Sequence, residues 1–386
     1  MTQPKLIWEI PEEEVQWSDF EKQWEDRKDD SFVQLINRGK AGQNIGMSNG
    51  LNTINKYING THKGRYILIG ADSGCFKTTL VDFMYLYAIW KDCKSKGIKL
   101  YVKYFSFELS LAEKKVKWAS QWIKAMYKID LRADYIAGRS GTLSEEHFKL
   151  VQRAYAVIEE MMLDVDVIDH MLHPTGMLNR LIEEHYEKVG KVIRAPSKLD
   201  KHGKPRPGMI LRYEPKDPQA LTLCIVDHVS LINVEAGATT SKQIIDRWSM
   251  YCVQLRNIFQ TTIINIQQFS TDLMSAYREQ KKNETAIAPQ RLDFSESKFT
   301  FRDADTVFGL VKPIQFNLRT YHGYNMEEIG QYFVALHLMK NRYGPADRVM
   351  PLFVNPIAGL FWDLPTNPLD PAMKFFIDEA KRLDTL

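Results

Sequence analysis

Apolar residues recur along this chain in two periods. Between about residues 45 and 363, short apolar runs alternate with stretches whose apolar positions return every three or four residues. The short runs are 66–70, 100–106, 221–226, 262–266, 306–310, 332–339 and 349–354. Runs of this length, bounded by turn residues, predict strands. The stretches between them predict helices. One such stretch carries Leu80, Phe83, Met84 and Tyr87, and another opens at Thr142-Leu143-Ser144-Glu145, which resembles a capping box. Its apolar face reads as Phe148, Val151, Tyr155 and Ile158. Strands alternating with helices predict an α/β domain with a mostly parallel twisted sheet flanked by helices.

The ends and two internal segments break this rhythm. Residues 1–44 are charge-rich and interspersed with Trp8, Trp17, Phe20 and Trp24. They read either as an arm that docks on something or as a helix packed on its own domain. Within them, 30–38 (Phe32, Val33, Leu35, Ile36) predicts a short amphipathic helix, and 364–386 reads as a helical tail. Segment 188–216 is basic, with Lys188, Lys191, Arg194, Lys198, Lys201, Lys204, Arg206, Arg212 and Lys216 against Asp200 and Glu214. Its turn-like middle, 200–208, is flanked by apolar 192–194 and 209–213, which predicts a protruding β-hairpin. Its role is a solvated surface or an added nucleic-acid contact. Segment 271–301 is polar and carries Arg278, Lys281 and Lys282. Long polar loops in compact domains are usually functional.

Composition narrows the classes. A chain of 386 residues with a net charge of +3 has no protein-wide basic field, so any nucleic-acid site is local. Cys75, Cys93, Cys224 and Cys252 lie far apart, without metal-type spacing, and read as reduced thiols. No apolar run is long enough to span a membrane. The polar, acidic first residues do not resemble a secretion signal. These features predict a cytoplasmic protein.

The chemistry centres on the first strand and the loop after it. Tyr66-Ile67-Leu68-Ile69-Gly70 leads into Ala71-Asp72-Ser73-Gly74-Cys75-Phe76-Lys77-Thr78-Thr79, and then into a helix. Strand, small-residue loop, Lys-Thr and helix is the layout of a phosphate-binding loop. Backbone N–H groups of the loop and helix start face an anion. Lys77 would reach the terminal phosphates, and the Thr78 hydroxyl would hold a magnesium ion. Phe76 stands where that pattern has glycine, so an ordinary strand-to-helix turn stays open on this motif alone. A shift of the turn at Gly74 would make room for Phe76.

Three further strands end in polar groups. Lys103-Tyr104-Phe105-Ser106-Phe107 ends in Glu108, which could polarise a water or simply start a helix. Leu221–Val226 ends in Asp227, how a magnesium-side carboxylate is presented in nucleotide hydrolases. His228 beside it reads as a second polar contact or as space-filling. Thr262–Ile266 ends in Gln267-Gln268, either a phosphate-sensing amide or a solvated strand end. Near the C-terminus, Lys340-Asn341-Arg342-Tyr343-Gly344-Pro345 places two cations at alternating positions before a turn, on one face of a strand.

Taken in order, these motifs resemble the motor domain of the DnaB-type replicative helicases, a RecA-fold family. The resemblance runs from about Ile45 to Asp363. It includes the approach Asn49-Gly50-Leu51-Asn52-Thr53-Ile54-Asn55, and Phe299-Thr300-Phe301-Arg302-Asp303-Ala304-Asp305. It implies a RecA-like P-loop NTPase core with a C-terminal β-hairpin, using ATP or another NTP or dNTP with magnesium. Residues 71–79, including Ala71, Asp72, Ser73, Gly74, Cys75, Phe76, Lys77, Thr78 and Thr79, would bind the nucleotide. Thr78 and Asp227 would hold the metal, Glu108 would be the general base and Gln268 the sensor. Lys340 and Arg342 would act in trans, and Ser295, Glu296 and Lys298 would contact DNA.

The same resemblance implies a ring-forming homohexamer on single-stranded and replication-fork DNA, translocating 5′ to 3′. A primase or helicase loader is an implied partner. The usual globular N-terminal domain is not seen in residues 1–44, and 188–216 looks like an insertion. Those departures fit a compact, phage- or plasmid-encoded relative acting in the host cytoplasm. A RecA- or KaiC-like ATPase or recombinase, and a nucleotide-binding assembly or loading protein with lost hydrolysis, are the rival readings.

Overall fold

A computed structural model describes residues 17–27, 30–42, 44–199, 203, 205–238, 240–270, 281, 283–294 and 297–386. Trp8, Lys201, Lys204, Arg278 and Lys282 lie outside the described residues. The chain divides at Gly46/Met47 into two units. In the first unit the helix Ser31–Lys40 starts at Asp30, whose carboxylate accepts the Phe32 and Val33 amides at 2.7 and 3.4 Å. Val33 is buried, while Phe32, Leu35 and Ile36 are exposed.

The second unit is built on one sheet of nine strands: β1 Tyr66–Ala71, β2 Leu100–Ser106, β3 Val165–Ile168, β4 Leu221–Asp227, β5 Thr262–Gln268, β6 Thr306–Val311, β7 Phe333–Asn341, β8 Arg348–Asn355 and β9 Leu360–Asp363. Their spatial order is β9-β8-β7-β6-β1-β5-β4-β2-β3. Strands β1 to β6 pair in parallel. Strands β7 to β9 add an antiparallel edge beside β6. Strand β1 is buried along its whole length because helices cover both faces, which is why it reads as an unbroken apolar run. Gly70 is required there: a Cβ would lie 2.4 Å from Phe294 and 2.5 Å from Phe269.

Seven strands match the expected runs to within a few residues at each end. The two others, β3 and β9, are four-residue strands, too short to show a period, and Asp166 interrupts the first. The helix Glu145–Met161 starts two residues later than Thr142 indicates. Its N-cap is Ser144, whose Oγ accepts the His147 amide at 3.1 Å. Its buried stripe is Leu150, Ala154, Ile158 and Met161, while Phe148 and Tyr155 are exposed. The contact face is therefore rotated from the expected one: the large aromatics stand beside the stripe, and Lys115 covers the Tyr155 ring at 5.6 Å.

The predicted hairpin forms. Gly190–Arg194 pairs antiparallel with Ile210–Pro215, and Lys198–Leu199 pairs with Pro205–Arg206. Tyr213 anchors it, its ring 5.1 Å from Tyr186 and 5.3 Å from Phe259. The hairpin joins the body next to the start of β4, the opposite end of the strands from Asp227. The C-terminal helix Met373–Asp384 is held through Arg382, which donates to Asp130 at 2.6 Å. Among the described residues no helix is long and apolar enough to cross a membrane.

Candidate nucleotide-binding site

The ends of β1, β5, β4 and β2 are neighbours on one edge of the sheet. They present, in that order, the Lys77 loop, Gln268, Asp227 and Glu108. In open parallel sheets this carboxyl edge is where ligands bind. The parallel register sets Ala71 beside Gln268 and Ser106 beside Asp227. Alternation along β5 turns Gln267 away: it is buried and accepts the Thr300 hydroxyl at 2.8 Å. Gln268 is half-buried and is the one whose register meets the end of β1.

The loop 72–76 takes the conformation of a phosphate-binding turn. Gly74 has φ +76°, and Phe76 has φ 63° and ψ 26°, in the left-handed region. This explains why glycine suits position 76. It also corrects one expectation: Gly74 does not shift the turn to spare Phe76. Phe76 keeps the left-handed geometry itself, at a cost of about 1–2 kcal/mol. Its ring packs on the core, and Lys312 Nζ lies 4.9 Å over it. Cys75 is buried and donates to Gln315 Oε1 at 3.2 Å; burial pushes its thiol up to about 11. Gln315 lies on the turn Pro313–Phe316, and a polar residue in a short turn carries no pattern that marks it in sequence.

Lys77 opens the helix and donates to the Asp72 carbonyl at 2.9 Å. Burial lowers its pKa, while Cys75, Glu108 and Asp227 pull it back up. An anionic ligand would replace that carbonyl as its partner. Thr78 Oγ1 donates to Asp227 Oδ1 at 3.1 Å. Asp227 is fully buried, and its second oxygen, Oδ2, has no hydrogen-bond partner among the described residues. Burial raises its pKa, and the Lys114 charge opposes that rise. A hydroxyl and an orphaned buried carboxylate oxygen side by side fit a hard divalent cation, which takes oxygen ligands. Glu108 lies exposed at the same edge.

A cluster with no signal in the sequence stands behind Asp227. Lys114, on the helix Leu111–Tyr127, is completely buried. Its Nζ donates to Tyr104 Oη at 2.6 Å and lies 3.3 Å from Asp82 Oδ2. Asp82 opens a π-helical turn, Asp82–Tyr87, in the helix that begins at Lys77. In sequence both residues sit on amphipathic helices, where a charge normally faces water. A cavity of about 220 Å³ lies beside the loop, between Phe76, Thr79, Trp118, Gln121 and the β8–β9 turn. That turn approaches closely: a Cβ on Gly359 would lie 2.8 Å from Thr79 Cγ2.

The remaining candidates lie elsewhere. Lys340 and Arg342 sit where β7 meets the start of β6, Asn341 pairing with Thr306. Since β6 runs parallel to β1, this is the end of the sheet away from the Lys77 loop. Lys340 is on the strand and Arg342 in the turn, yet both reach one segment. Lys340 Nζ donates to the Phe301 and Arg302 carbonyls at 3.1 and 2.7 Å, and Arg342 pairs with Asp305 at 2.9 Å. Lys298 is exposed at the start of the helix Lys298–Asp303, whose N-cap Ser297 donates to Asp246. Ser295 and Glu296 lie outside the described residues.

No protein-family model and no curated protein matches the chain. Solved structures do. The chain superposes on the ATPase domain of one DnaB-like replicative helicase with a TM-score of 0.63 at 16% identity, over 88% of this chain and 99% of that one. It superposes on a second DnaB-like replicative helicase, in a structure concerned with its interactions with primase, with a TM-score of 0.63 at 14% identity. That match covers 87% of this chain and 68% of the other. At such identities the likeness is one of fold. With six parallel strands and an antiparallel edge, the chain has the RecA-like α/β fold of the ATPase domains of DnaB-like replicative helicases.

Proposed function

We propose that this chain is the motor of an NTP-driven replicative DNA helicase that works as a ring. The observation that carries the reading is the Thr78–Asp227 hydrogen bond, with Lys77 opening the helix and Glu108 on the same sheet edge. In this reading the loop N–H groups and Lys77 bind the phosphates of ATP or another NTP. A magnesium ion held by Thr78 and Asp227 would neutralise charge on the β- and γ-phosphate oxygens. Glu108 takes the proton of the attacking water, and Gln268 at the end of β5 senses the γ-phosphate. The cavity beside Phe76 receives the nucleoside.

Lys340 and Arg342 cannot reach the nucleotide of their own subunit from the far end of the sheet, and this supports action in trans. Residues 1–44 would be an arm docking on a neighbour, 45–363 the motor and 364–386 a tail. Ser295, Glu296 and Lys298 belong to the loop segment after β5 that would grip single-stranded DNA, with translocation 5′ to 3′. A primase or loader is a partner by analogy with the DnaB-like structure. The test is NTP turnover with and without single-stranded DNA, on protein whose mass is measured in parallel, together with unwinding of forks with 5′ or 3′ tails. DNA-stimulated turnover by a hexamer that unwinds 5′-tailed forks is expected. A monomer with no turnover on DNA sinks the reading.

Phe76 supports a second reading, a nucleotide-dependent assembly or loading protein that has lost hydrolysis. Its side chain stands in a loop whose backbone must approach phosphate. ATP that binds without turnover in the wild type, but is hydrolysed by Phe76→Gly, would favour it.

A further inference from the structure

Asp227 is not alone behind the loop. Lys114 Nζ lies 3.6 Å from Asp227 Oδ2, and 3.4 and 3.3 Å from Asp82 Oδ1 and Oδ2. Asp82 is well served: Tyr104 donates to its Oδ1 at 2.6 Å and Trp118 Nε1 to its Oδ2 at 3.0 Å. Asp227 Oδ2 accepts no hydrogen bond from the described residues. Lys114, Asp82 and Asp227 are all buried, so two carboxylates share one ammonium. Charges taken out of water interact strongly over such distances and are costly when uncompensated.

We infer that Lys114 is a resident counter-charge at Asp227: it positions the carboxylate and opposes divalent-ion binding until nucleotide arrives. The inference rests on the reading of Asp227 as the metal-side acid. An ammonium cannot be a metal ligand, but its positive charge, a few ångströms away in a dry setting, lowers the affinity of Asp227 for any cation. The phosphates of an incoming nucleotide supply the negative charge that outweighs it. Metal and nucleotide would then enter together. Lys114 acts through Asp227 and is a positioning residue, tied by Asp82 to the helix that carries Lys77 and Thr78.

The test is Mn²⁺ binding, read by electron paramagnetic resonance on the full chain with and without ATP. Lys114→Met is expected to bind Mn²⁺ about tenfold more tightly than wild type in the absence of nucleotide, because an opposing charge is gone. The double variant Asp82→Asn/Lys114→Met removes the ion pair as a unit, which protects the fold, and is expected to keep part of that gain. Affinity equal to or below wild type in Lys114→Met overturns the inference and leaves Lys114 as a partner of Asp82 alone. Should Lys114→Met not fold, the double variant decides by the same criterion. Asp227→Asn separates the two levels: if ATP-dependent Mn²⁺ binding survives it, the metal-site reading itself fails, and the inference with it.

Discussion

Asp305 holds Arg342 at 2.9 Å, at the end of the sheet away from Lys77. The same buried carboxylate accepts Arg256 at 2.8 Å and the Tyr66 amide, at the start of β1, at 2.9 Å. Arg342 is therefore mounted on the body, yet its side chain remains 45% exposed. An arginine tied at its base and open to the outside can meet a second subunit without refolding. Arg342→Ala is expected to fold and bind nucleotide but lose hydrolysis, by about 10³-fold or more if it stabilises the transition state in trans. Mixed with Lys77→Ala subunits, which carry the lesion on the opposite face, it should regain part of the rate. No rescue at any ratio, with a monomeric mass, rules out the trans role.

Lys77→Ala should abolish nucleotide binding, or cut turnover by at least about a hundredfold, since it removes the charge aimed at the phosphates. Fluorescent-nucleotide titration and phosphate release measure the two effects. Unchanged turnover would remove the phosphate-loop reading.

Glu108→Gln should leave nucleotide affinity intact while turnover falls about 10²–10⁴-fold, the usual contribution of a general base. Glu108 is exposed, so the exchange should leave the fold as it is. Single-turnover hydrolysis separates the two effects. Weaker binding with persistent turnover makes Glu108 a structural residue.

The basic hairpin carries nine Lys or Arg residues against two acids in 188–216, while the whole chain is only +3. Neutralising Lys198, Lys201, Lys204 and Arg206 together is expected to weaken single-strand binding and flatten its salt dependence, since each phosphate contact adds to that slope. Basal turnover should barely move, because the hairpin springs from the edge opposite Asp227. An unaltered salt slope would assign the hairpin to a protein partner or to no binding role.

Two histidines should make the fold acid-sensitive. Burial lowers His337 to about 3 and His185 to about 4, with Lys103 adding to the latter. Below pH 6.5 the unfolded chain takes up these protons before the folded one does. The stability they allow is thus complete above about pH 6.5 and lost as the pH falls toward 3–4, at up to about 1.4 kcal/mol per pH unit for each. His337→Asn should flatten urea-unfolding stability across that window. A profile identical to wild type would show that His337 titrates normally.

Much of the architecture was legible because burial on both faces leaves a mark in one dimension. Strand β1 and the runs that became β4, β5 and β6 are apolar throughout, and the polar residues closing β4 and β5 mark the ligand edge. The short strands β3 and β9 left no such mark. The helix Glu145–Met161 shows the other limit: its period was visible but its facing was not. Phe148 and Tyr155 look like core residues until the neighbouring helix, Leu111–Tyr127, is in place.

Local rules were enough to set the alternation of elements, the loop with Lys77 and Thr78, and the carboxylates and amide at the strand ends. Period, turn chemistry and the polar residue that closes an apolar run are all written in short stretches of chain. Which of these groups meet depended on the packed molecule. Strand order brought Thr78, 149 residues from Asp227, to 3.1 Å from it, and sent Arg342 to the opposite end. It also took Asp82 and Lys114 out of water and closed the β8–β9 turn over Thr79. Burial, and with it the strength of a charge, depends on what packs around a residue, and that is set by chain segments far away in sequence.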